Sequence, residues 1–305
     1  MQPPLQAESV VCFGEILWDF LPGGAVPGGA PMNVAYHLKK LGLQPQVVTR
    51  VGKDELGAAL ISIMESNRID VSFFQVDKQL ATGTVKARIG ENNEVHYEIV
   101  EPVAWDNIQW EDGLGSAMNE AHSLVFGSLA SRNEASRNTL FRLLERARHK
   151  ILDINLRPPH YNRAFVEQLL PEADLLKLNA AELELLSSWY GSYADDRERL
   201  QVLQDRFSIP AIVVTKGENG ALFNNRGVIS EHPGFQVTVA DTVGSGDAFL
   251  AGLIFKLFEG VPTDDVLAFA SALGALVASH TGACPQYEVP DINKLLVQTR
   301  VTPID

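Results

Sequence analysis

Two periods of hydrophobic and polar residues alternate along the chain, and they predict a regular succession of strands and helices. Apolar runs rich in β-branched residues predict strands at residues 9–17, 46–51, 71–76, 123–127, 150–154, 175–178 and 211–215. Apolar residues at helical spacing predict a helix that stops at Gly42, one that starts near Asn179, and others at residues 54–67, 133–149, 248–258 and 263–279. This alternation is typical of an α/β fold with a mostly parallel sheet.

Residues 82–101 break the alternation. Two strand-like runs, at residues 84–89 and 95–100, flank the turn-forming segment 90–94, which predicts a β-hairpin. A second hairpin is predicted within residues 221–229. Because the first hairpin interrupts an α/β pattern, it indicates a β-flap inserted into an α/β domain.

The segment Asp241-Thr242-Val243-Gly244-Ser245-Gly246-Asp247 leads directly into the helix predicted at residues 248–258. A helix start presents unpaired N–H groups and the positive end of the helix dipole, so its small residues would let the backbone approach a phosphate. Asp247 would then be placed to take a proton. The alternative is an ordinary loop in which Asp241 or Ser245 caps the helix.

A second glycine-rich helix entry lies upstream, where Gly28 and Gly29 precede the helix that stops at Gly42. Paired glycines allow a small ligand to approach the backbone, and Asn33 can donate and accept hydrogen bonds with a hydroxyl. The alternative is a tight loop with no ligand. Asp19 follows the first predicted strand, where it either contacts a ligand or caps a turn. Ligands of open α/β sheets bind at the carboxyl ends of the strands, so these positions predict a single crevice.

Size and charge narrow the choice of function. The 305 residues suit one large α/β domain or one domain with an appendage. A hydrophobic fraction of 46% without a bilayer-length apolar run predicts no membrane role, and residues 1–9 lack a signal-peptide pattern, which predicts a cytoplasmic location. The net charge of −13 argues against nucleic-acid binding, so an anionic ligand needs a local site. Cys12 and Cys284 lack metal-ligand spacing and are expected to be structural or incidental.

The two glycine-rich segments resemble the signatures of the ribokinase-like, or PfkB, family of carbohydrate kinases. The first is Gly28-Gly29-Ala30-Pro31-Met32-Asn33-Val34-Ala35 with Gly42 and Gly52, and the second is the segment 241–247 with Ala251-Gly252. The resemblance covers nearly the whole chain. It implies an α/β, ribokinase-like three-layer αβα sandwich with a mostly parallel central sheet and a small β-lid over the sugar. Residues 1–305 would form a single ribokinase-like kinase domain, with residues about 82–105 as the inserted β-lid.

The resemblance also implies roles for individual residues. Asp247 matches the catalytic base that takes the proton from the attacking sugar hydroxyl, and the N–H groups of Gly244, Ser245 and Gly246 match the anion hole for the transferred phosphoryl group. The family more often has Ala in place of Ser245, a change that leaves backbone donation intact. A base beside fixed donors suits phosphoryl transfer, which depends on positioning and charge stabilisation. The positions that match the family's sugar contacts are Asp19, Gly28, Gly29 and Asn33.

The positions that match the nucleotide side of the family lie in the second half of the chain. Asn179 and Glu182 match its Asn-x-x-Glu element near Mg²⁺ and the phosphates, which gives Glu182 an indirect role near the metal. ATP or another triphosphate is the implied co-substrate and Mg²⁺ the implied cofactor. Some members also bind a monovalent cation such as K⁺, at an Asp matching Asp241 and at carbonyls that correspond to residues 278–283. The positions that match nucleotide contacts are Thr215, Gly217, Gly220 and Ser271.

Within the family, the chain most resembles the fructokinases. The matching segments are Gly14-Glu15 before Asp19-Phe20, the Gly28-Gly29 entry with Asn33, Asp153-Ile154-Asn155-Leu156-Arg157, and Leu176-Lys177-Leu178-Asn179. The expected reaction transfers the γ-phosphoryl group of Mg-ATP to O6 of D-fructose, with ribose, tagatose, 2-keto-3-deoxygluconate or a nucleoside as alternative acceptors. Arg157 and Arg88 are further candidate substrate contacts, because a planar guanidinium suits anionic oxygens. A structural salt bridge is the alternative for Arg157.

Two other classes of protein compete with this interpretation. Dinucleotide-dependent oxidoreductases share this type of sheet, but Phe249 stands at the third glycine position of their G-x-G-x-x-G motif. A non-catalytic sugar- or nucleotide-binding relative is expected to lose Asp247, which is present here. The second face of the β-lid favours a homodimer through paired lids, and no nucleic-acid or membrane partner is expected.

Overall fold

A computed structural model describes residues 8–21, 24–89 and 95–298 of the chain. Within these ranges there are thirteen strands and ten α-helices. The strands are β1 (Ser9–Phe13), β2 (Leu17–Leu21), β3 (Gly24–Gly28), β4 (Gln44–Gly52), β5 (Phe74–Asp77), β6 (Gly83–Ile89), β7 (Val95–Ile99), β8 (Ser123–Gly127), β9 (Lys150–Asp153), β10 (Leu175–Asn179), β11 (Ala211–Thr215), β12 (Ala221–Asn225) and β13 (Val228–His232). The helices are α1 (Ala30–Lys40), α2 (Glu55–Ser66), α3 (Leu114–Glu120), α4 (Glu134–Leu144), α5 (Arg163–Leu169), α6 (Ala180–Ser188), α7 (Asp196–Phe207), α8 (Ser245–Glu259), α9 (Thr263–Ala278) and α10 (Val289–Gln298).

Nine of the described strands form one sheet in the order β13-β12-β11-β10-β9-β8-β1-β4-β5. All neighbours from β11 to β5 pair in parallel, whereas β12 and β13 add an antiparallel edge. Parallel strands that are buried on both faces read as continuous apolar runs, which is why the sequence pattern finds them. The predicted α/β class with a mostly parallel central sheet is confirmed.

Hydrophobic cores lie on both faces of this sheet. On strand β1, Val10 and Cys12 contribute to one core, whereas Val11 and Phe13 contribute to the other. Helices α1, α2, α8, α9 and α10 cover the first face, and α3 to α7 cover the second. The arrangement is the predicted three-layer αβα sandwich. None of the described helices is both long and apolar enough to cross a bilayer.

The predicted hairpin belongs to a second, smaller sheet. Strands β6 and β7 pair antiparallel, as predicted, and residues 90–94 between them lie outside the described ranges. The small sheet has the order β3-β2-β6-β7, so two of its strands come from residues 17–28 rather than from the predicted insertion. Strand β2 pairs with β6 in parallel and with β3 antiparallel. The β-flap is therefore assembled from two separate segments of the chain.

The assignment of residues 9–17 to a single strand is wrong. Strand β1 ends at Phe13, and Gly14 leaves the main sheet with a φ of +147°. A Cβ on Gly14 would lie 2.7 Å from Cγ of Pro31, so the close packing at this break requires a glycine. The chain then enters β2, and Asp19 lies in the middle of that strand instead of following the end of β1. A continuous apolar run carries no hydrophobic signal for such a break.

Other predicted boundaries are most accurate for buried strands. The strands predicted at residues 123–127 and 211–215 have those bounds, as β8 and β11. Strand β5 covers Phe74–Asp77 instead of residues 71–76, and α4 ends at Leu144, before the polar segment that the prediction included. The pattern also misses α3, α5, α7 and α10. Helices α3 and α5 have only seven residues each, and α7 is mostly polar, so their apolar periodicity is weak.

Two polar clusters hold the small sheet to the main sheet. The first cluster lies just before β6. Asp54 caps α2 by accepting a hydrogen bond from the N–H of Gly57 at 2.8 Å, and it also accepts one from the N–H of Thr82 at 2.8 Å. The second cluster lies just after β7, where the guanidinium of Arg132 donates to both carboxylate oxygens of Asp106, at 2.7 and 2.8 Å. The same guanidinium donates to the carbonyl of residue 100 at 2.9 Å, directly after β7. These contacts fix both ends of the segment that carries β6 and β7.

We predict that Asp106→Ala lowers the free energy of unfolding by about 3 kcal/mol, because it removes the bidentate partner of the buried Arg132 charge and leaves only the half-exposed Glu101 carboxylate at 3.7 Å. Equilibrium urea denaturation measures this change. The matched control is Glu231→Ala, which removes a carboxylate from the exposed pair with Arg197 and should cost about 0–1 kcal/mol. Equal losses in the two variants would contradict the prediction.

Candidate active site

The second glycine signature runs directly into helix α8. Gly244 has a φ of +75°, and a Cβ there would lie 2.6 Å from Cα of Ala283, so only glycine fits. The N–H groups of Gly244, Gly246 and Asp247 have no acceptor among the described residues, as expected for the first turn of a helix. The N–H of Ser245 donates at 3.3 Å to a carbonyl of the preceding turn, so it is less free than its neighbours. The start of α8 therefore presents free donors and the positive end of a helix dipole.

Asp247 lies in this first turn and is held from another part of the chain. Its carboxylate accepts a hydrogen bond from Nδ2 of Asn33, on α1, at 2.8 Å. Burial raises the pKa of Asp247 to about 6, against the lowering effect of the Lys177 charge. Asp153 raises this pKa further, and Asn33 and Arg157 lower it. The carboxylate is therefore mostly ionised at neutral pH, with a proton affinity close to that of a working general base.

Asp19, Gly28 and Gly29 come together where β2 pairs with β3. A Cβ on Gly28 would collide with the carboxylate of Asp19. Gly29 has a φ of +118°, and a Cβ there would collide with the backbone of Glu15. Burial raises the pKa of Asp19, while the Arg157 charge lowers it. Gly28 is thus needed for the chain to pass the Asp19 carboxylate at close range, and Gly29 for it to pass the backbone of Glu15.

Asn33 is buried, and both ends of its amide are engaged. While Nδ2 donates to Asp247, Oδ1 accepts a weak hydrogen bond from the thiol of Cys284 at 3.5 Å. Asn33 therefore orients the candidate base in addition to any contact with a sugar. Cys284, expected to be structural or incidental, is structural, because its thiol supports the residue that holds Asp247.

Of the two candidate arginines, Arg157 has a described side chain and Arg88 does not. The side chain of Arg88 lies outside the described part of the structure. Arg157 is exposed and forms no salt bridge with any residue that the structure describes; its guanidinium donates to the carbonyl of Leu156 at 3.3 Å. Its charge nevertheless lowers the pKa values of Asp19 and Asp247. The structural salt bridge considered as the alternative is not present among these residues, and Arg157 is free to meet an anionic ligand.

A cavity of about 320 Å³ adjoins the start of α8, since Ser245 and Gly246 contribute to its lining. This volume is within the range of small-molecule sites, roughly 300–1,000 Å³. The hydroxyl of Ser271 is buried and has no hydrogen-bond partner among the described residues. Gly274 and Ala275 of α9 add a wall of small residues beside it. The cavity lining contains four of the six residues predicted to bind the nucleotide, which are Thr215, Gly217, Gly220 and Ser271.

Asn179 and Glu182 are absent from the lining of this cavity. Asn179 caps α6 by accepting a hydrogen bond from the N–H of Glu182 at 2.9 Å, and Glu182 accepts one from the N–H of Asn179 at 2.9 Å. The second carboxylate oxygen of Glu182 accepts from the N–H of Leu156 at 2.8 Å. Glu182 is buried with both oxygens bound to backbone, so it fixes the loop next to Arg157 instead of presenting a free carboxylate.

Asp241 lies beside the loop that the family resemblance connects with a monovalent cation. Its carboxylate accepts hydrogen bonds from the N–H groups of Val243 at 3.0 Å and Gly282 at 3.1 Å. The carbonyl of Ala278 in turn accepts from the N–H of Asp241 at 3.2 Å. Asp241 therefore joins the start of α8 to the chain that follows α9.

The described residues contain no group of three or more His, Cys, Asp and Glu side chains placed to hold a metal ion. Mg²⁺ usually keeps several waters and binds through one or two carboxylates together with substrate phosphates. The residues of the site therefore fit a metal that arrives on a nucleotide, and they do not form a protein cage of their own.

The sequence pattern misses one ion pair beneath the helix start. Nζ of Lys177, on β10, lies 2.7 Å from Oδ2 of Asp153 at the end of β9, and both residues are buried. A Cβ on Gly246 would lie 3.0 Å from the same Nζ. The available signal was a lysine inside an apolar strand, opposite an aspartate in the register of the neighbouring strand.

The chain is similar to known carbohydrate kinases. Residues 23–290 match the pfkB family of carbohydrate kinases. Fructokinase from Klebsiella pneumoniae is 32% identical over 292 residues, which cover 88% of this chain and 93% of that protein.

Two solved structures have the same fold. Fructokinase with bound ATP from Xylella fastidiosa has a TM-score of 0.85 at 22% identity, covering 96% of this chain and 99% of that one. A fructokinase double mutant from Vibrio cholerae O395, in a form with fructose, ADP and potassium ion bound, has a TM-score of 0.79 at 26% identity, with coverages of 95% and 98%. The fold is thus ribokinase-like, and the chain belongs to the pfkB family of carbohydrate kinases.

Proposed function

We propose that this protein is an ATP-dependent fructokinase, which transfers the γ-phosphoryl group of ATP to the O6 hydroxyl of D-fructose. The observation that carries the proposal is the position of Asp247, which is bonded to Asn33 of the first signature and adjoins Gly246 in the cavity lining. A base between a sugar site and a nucleotide site is what direct transfer needs. Similarity to fructokinases, one of them seen with fructose and ADP bound, supports fructose as the acceptor.

In the proposed step, the sugar hydroxyl oxygen attacks the γ-phosphorus, and the bond from that phosphorus to the bridging oxygen of ADP breaks. Asp247, ionised above about pH 6, accepts the hydroxyl proton. The free N–H groups of Gly244 and Gly246 donate to the oxygens of the group in transfer, and the positive end of the α8 dipole adds to their effect. Because the contact between Gly244 and Ala283 fixes these donors, they need no reorganisation during the reaction.

The sugar would lie between the small sheet and the start of α8. Asp19 accepts hydrogen bonds from sugar hydroxyls, and the glycine pair Gly28 and Gly29 lets the ring approach the backbone. Asn33 orients the base, and Arg157 contacts the sugar or the phosphate from the open side. Arg88 stays a proposed contact from the β-lid.

The nucleotide would occupy the 320 Å³ cavity, with the Ser271 hydroxyl as a donor or acceptor for it. A Mg²⁺ ion that arrives with the nucleotide would supply positive charge against the phosphates during transfer. The capped pair Asn179 and Glu182 acts near the phosphates through the backbone that it holds. Asp241 supports a monovalent cation such as K⁺, an ion that is bound in the similar Vibrio cholerae enzyme.

We further propose that the chain is a single cytoplasmic kinase domain whose small sheet is the lid of the sugar site. Phe20, a large apolar side chain on β2, is 38% exposed and would be available for the pairing of two lids in a homodimer.

We predict that Asp247→Asn abolishes turnover, with a loss of at least about 10³-fold, because no other group replaces the base. ADP binding, measured by calorimetry, should stay within a few-fold of the wild type. The melting temperature at neutral pH should be unchanged or higher, since burial disfavours the charge that the variant lacks. Asp264→Asn, at an exposed site on α9, is the matched control and should keep full activity. Normal turnover in Asp247→Asn would refute the mechanism.

We predict that D-fructose has a kcat/KM at least about tenfold above those of ribose, tagatose, 2-keto-3-deoxygluconate and nucleosides. A coupled assay of ADP release measures these values. Activity with nucleosides alone would contradict the assignment of fructose.

We also predict that chelation of divalent metal with EDTA removes the activity and that addition of Mg²⁺ restores it. The rate in the presence of K⁺ should be higher than the rate when a large organic cation replaces K⁺.

We predict that the wild type is a dimer by light scattering and that Phe20→Glu is a monomer, because a charge cannot be buried between two lids without a partner. The matched control is Val228→Glu on edge strand β13, where the side chain is 60% exposed and the dimer should persist. A monomeric wild type would rule out pairing through the lid.

A further inference from the structure

The buried pair of Lys177 and Asp153 lies directly under the candidate catalytic helix start. Lys177 and Asp153 occupy opposite positions in the register of β10 and β9, and their charged atoms are 2.7 Å apart. The ammonium of Lys177 is also in contact range of Gly246, since a Cβ at that residue would lie 3.0 Å from Nζ. Gly246 is the residue next to Asp247, so the buried ammonium of Lys177 lies within one residue of the base.

The buried negative charge of Asp153 is compensated mainly by the ammonium of Lys177. Its Oδ1 atom is buried and has no hydrogen-bond partner among the described residues, so the Lys177 ammonium is its one charged partner there. A buried ion pair of this kind rarely gains stability over an apolar pair of similar size, because both charges lose their hydration. The position of the pair beneath Asp247 suggests that it serves the site and not the core.

We propose that Lys177 is a positioning residue that keeps Asp247 ionised at neutral pH, and that Asp153 holds the Lys177 ammonium in place while opposing its effect on Asp247. This inference rests on the proposed role of Asp247 as the base. The two residues of the pair then act on the base with opposite sign. Lys177 favours the carboxylate form, whereas the negative charge of Asp153 favours the protonated form.

Other groups face Asp247 as well, and none reproduces this pair of opposite effects. From the loop after β9, the positive charge of Arg157 lowers the pKa of Asp247, and the amide of Asn33 on α1 lowers it by hydrogen bonding. Glu15, after β1, and Cys284, after α9, also interact electrostatically with Asp247. Arg157 is exposed, so solvent and salt screen its charge more than that of the buried Lys177. Among the charged groups, Lys177 has the largest effect on the pKa of Asp247, and only the effect of burial is larger.

The test is the acidic limb of the pH dependence of kcat/KM for D-fructose, from about pH 4.5 to about pH 8, at saturating Mg-ATP. In the wild type, kcat/KM should fall tenfold per pH unit below about pH 6, because a protonated Asp247 cannot accept a proton. Lys177→Met should move this limb to higher pH by about one unit or more. Asp153→Asn keeps the shape and an acceptor for Lys177 but removes the opposing charge, so it should move the limb to lower pH.

Two further variants keep the test decisive. If Lys177→Met does not fold, because it leaves Asp153 unpaired, the double variant Lys177→Met/Asp153→Asn removes both charges and should place the limb at higher pH than Asp153→Asn does. Lys256→Met, at the far end of α8 and paired with Glu259, is the matched control and should leave the limb unchanged. A purely structural role of the pair would lower the rate at every pH without moving the limb.

The outcomes separate this inference from the proposed function. Shifts of opposite direction in Lys177→Met and Asp153→Asn support it. An unmoved limb in Asp153→Asn, or shifts in the same direction in both single variants, overturns it while an inactive Asp247→Asn still supports the base. Full activity of Asp247→Asn would overturn both.

Discussion

The start of helix α8 can occupy its place only because Gly244 has no side chain, and Gly246 lets it lie close to Lys177. One glycine lies against Ala283 and the other over the ammonium of Lys177, at distances that leave no room for a methyl group without a shift of the neighbour. This close approach brings the free N–H groups of the helix into the crevice. It also brings Asp247 within reach of Asn33, which lies more than two hundred residues earlier in the chain. The chemistry of the site follows from this packing.

The loop that follows α9 connects the two glycine signatures. Tyr36 on α1 donates a hydrogen bond to the carbonyl of Pro285 at 2.8 Å. Its neighbour His37 is buried, which lowers its pKa to about 4 and keeps the ring neutral. Because a carbonyl can only accept, Nε2 of His37 donates to the carbonyl of Ala283 at 2.9 Å, and Nδ1 then accepts from the hydroxyl of Tyr287 at 3.0 Å. Helix α1 and the start of α8 are therefore fixed to the same loop.

Local signals predict the parts of this protein that depend on nearby residues. Buried strands have apolar runs, and the glycine signatures carry the residues that line the crevice, so both were found from the sequence. Lys177 was not, because a lysine between two leucines in a strand resembles a solvent-facing position, and only Asp153 on the next strand explains its burial. The predicted position of Asp19, after the end of the first strand, is wrong for a similar reason. Its true position depends on the break at Gly14, which is set by packing against Pro31. Contacts between distant segments decide what local periodicity cannot.

The net charge of −13 would repel a nucleoside triphosphate at long range, yet the site suits such a ligand. At physiological ionic strength, charges further apart than about 8 Å are largely screened, so the groups next to the ligand determine binding. At the start of α8 those groups are neutral backbone donors, with the buried Lys177 beneath them. Backbone donors add no net charge, and the Lys177 charge is already balanced by Asp153. An acidic protein can therefore hold anionic oxygens here without a basic surface, provided that the glycines let the backbone approach them.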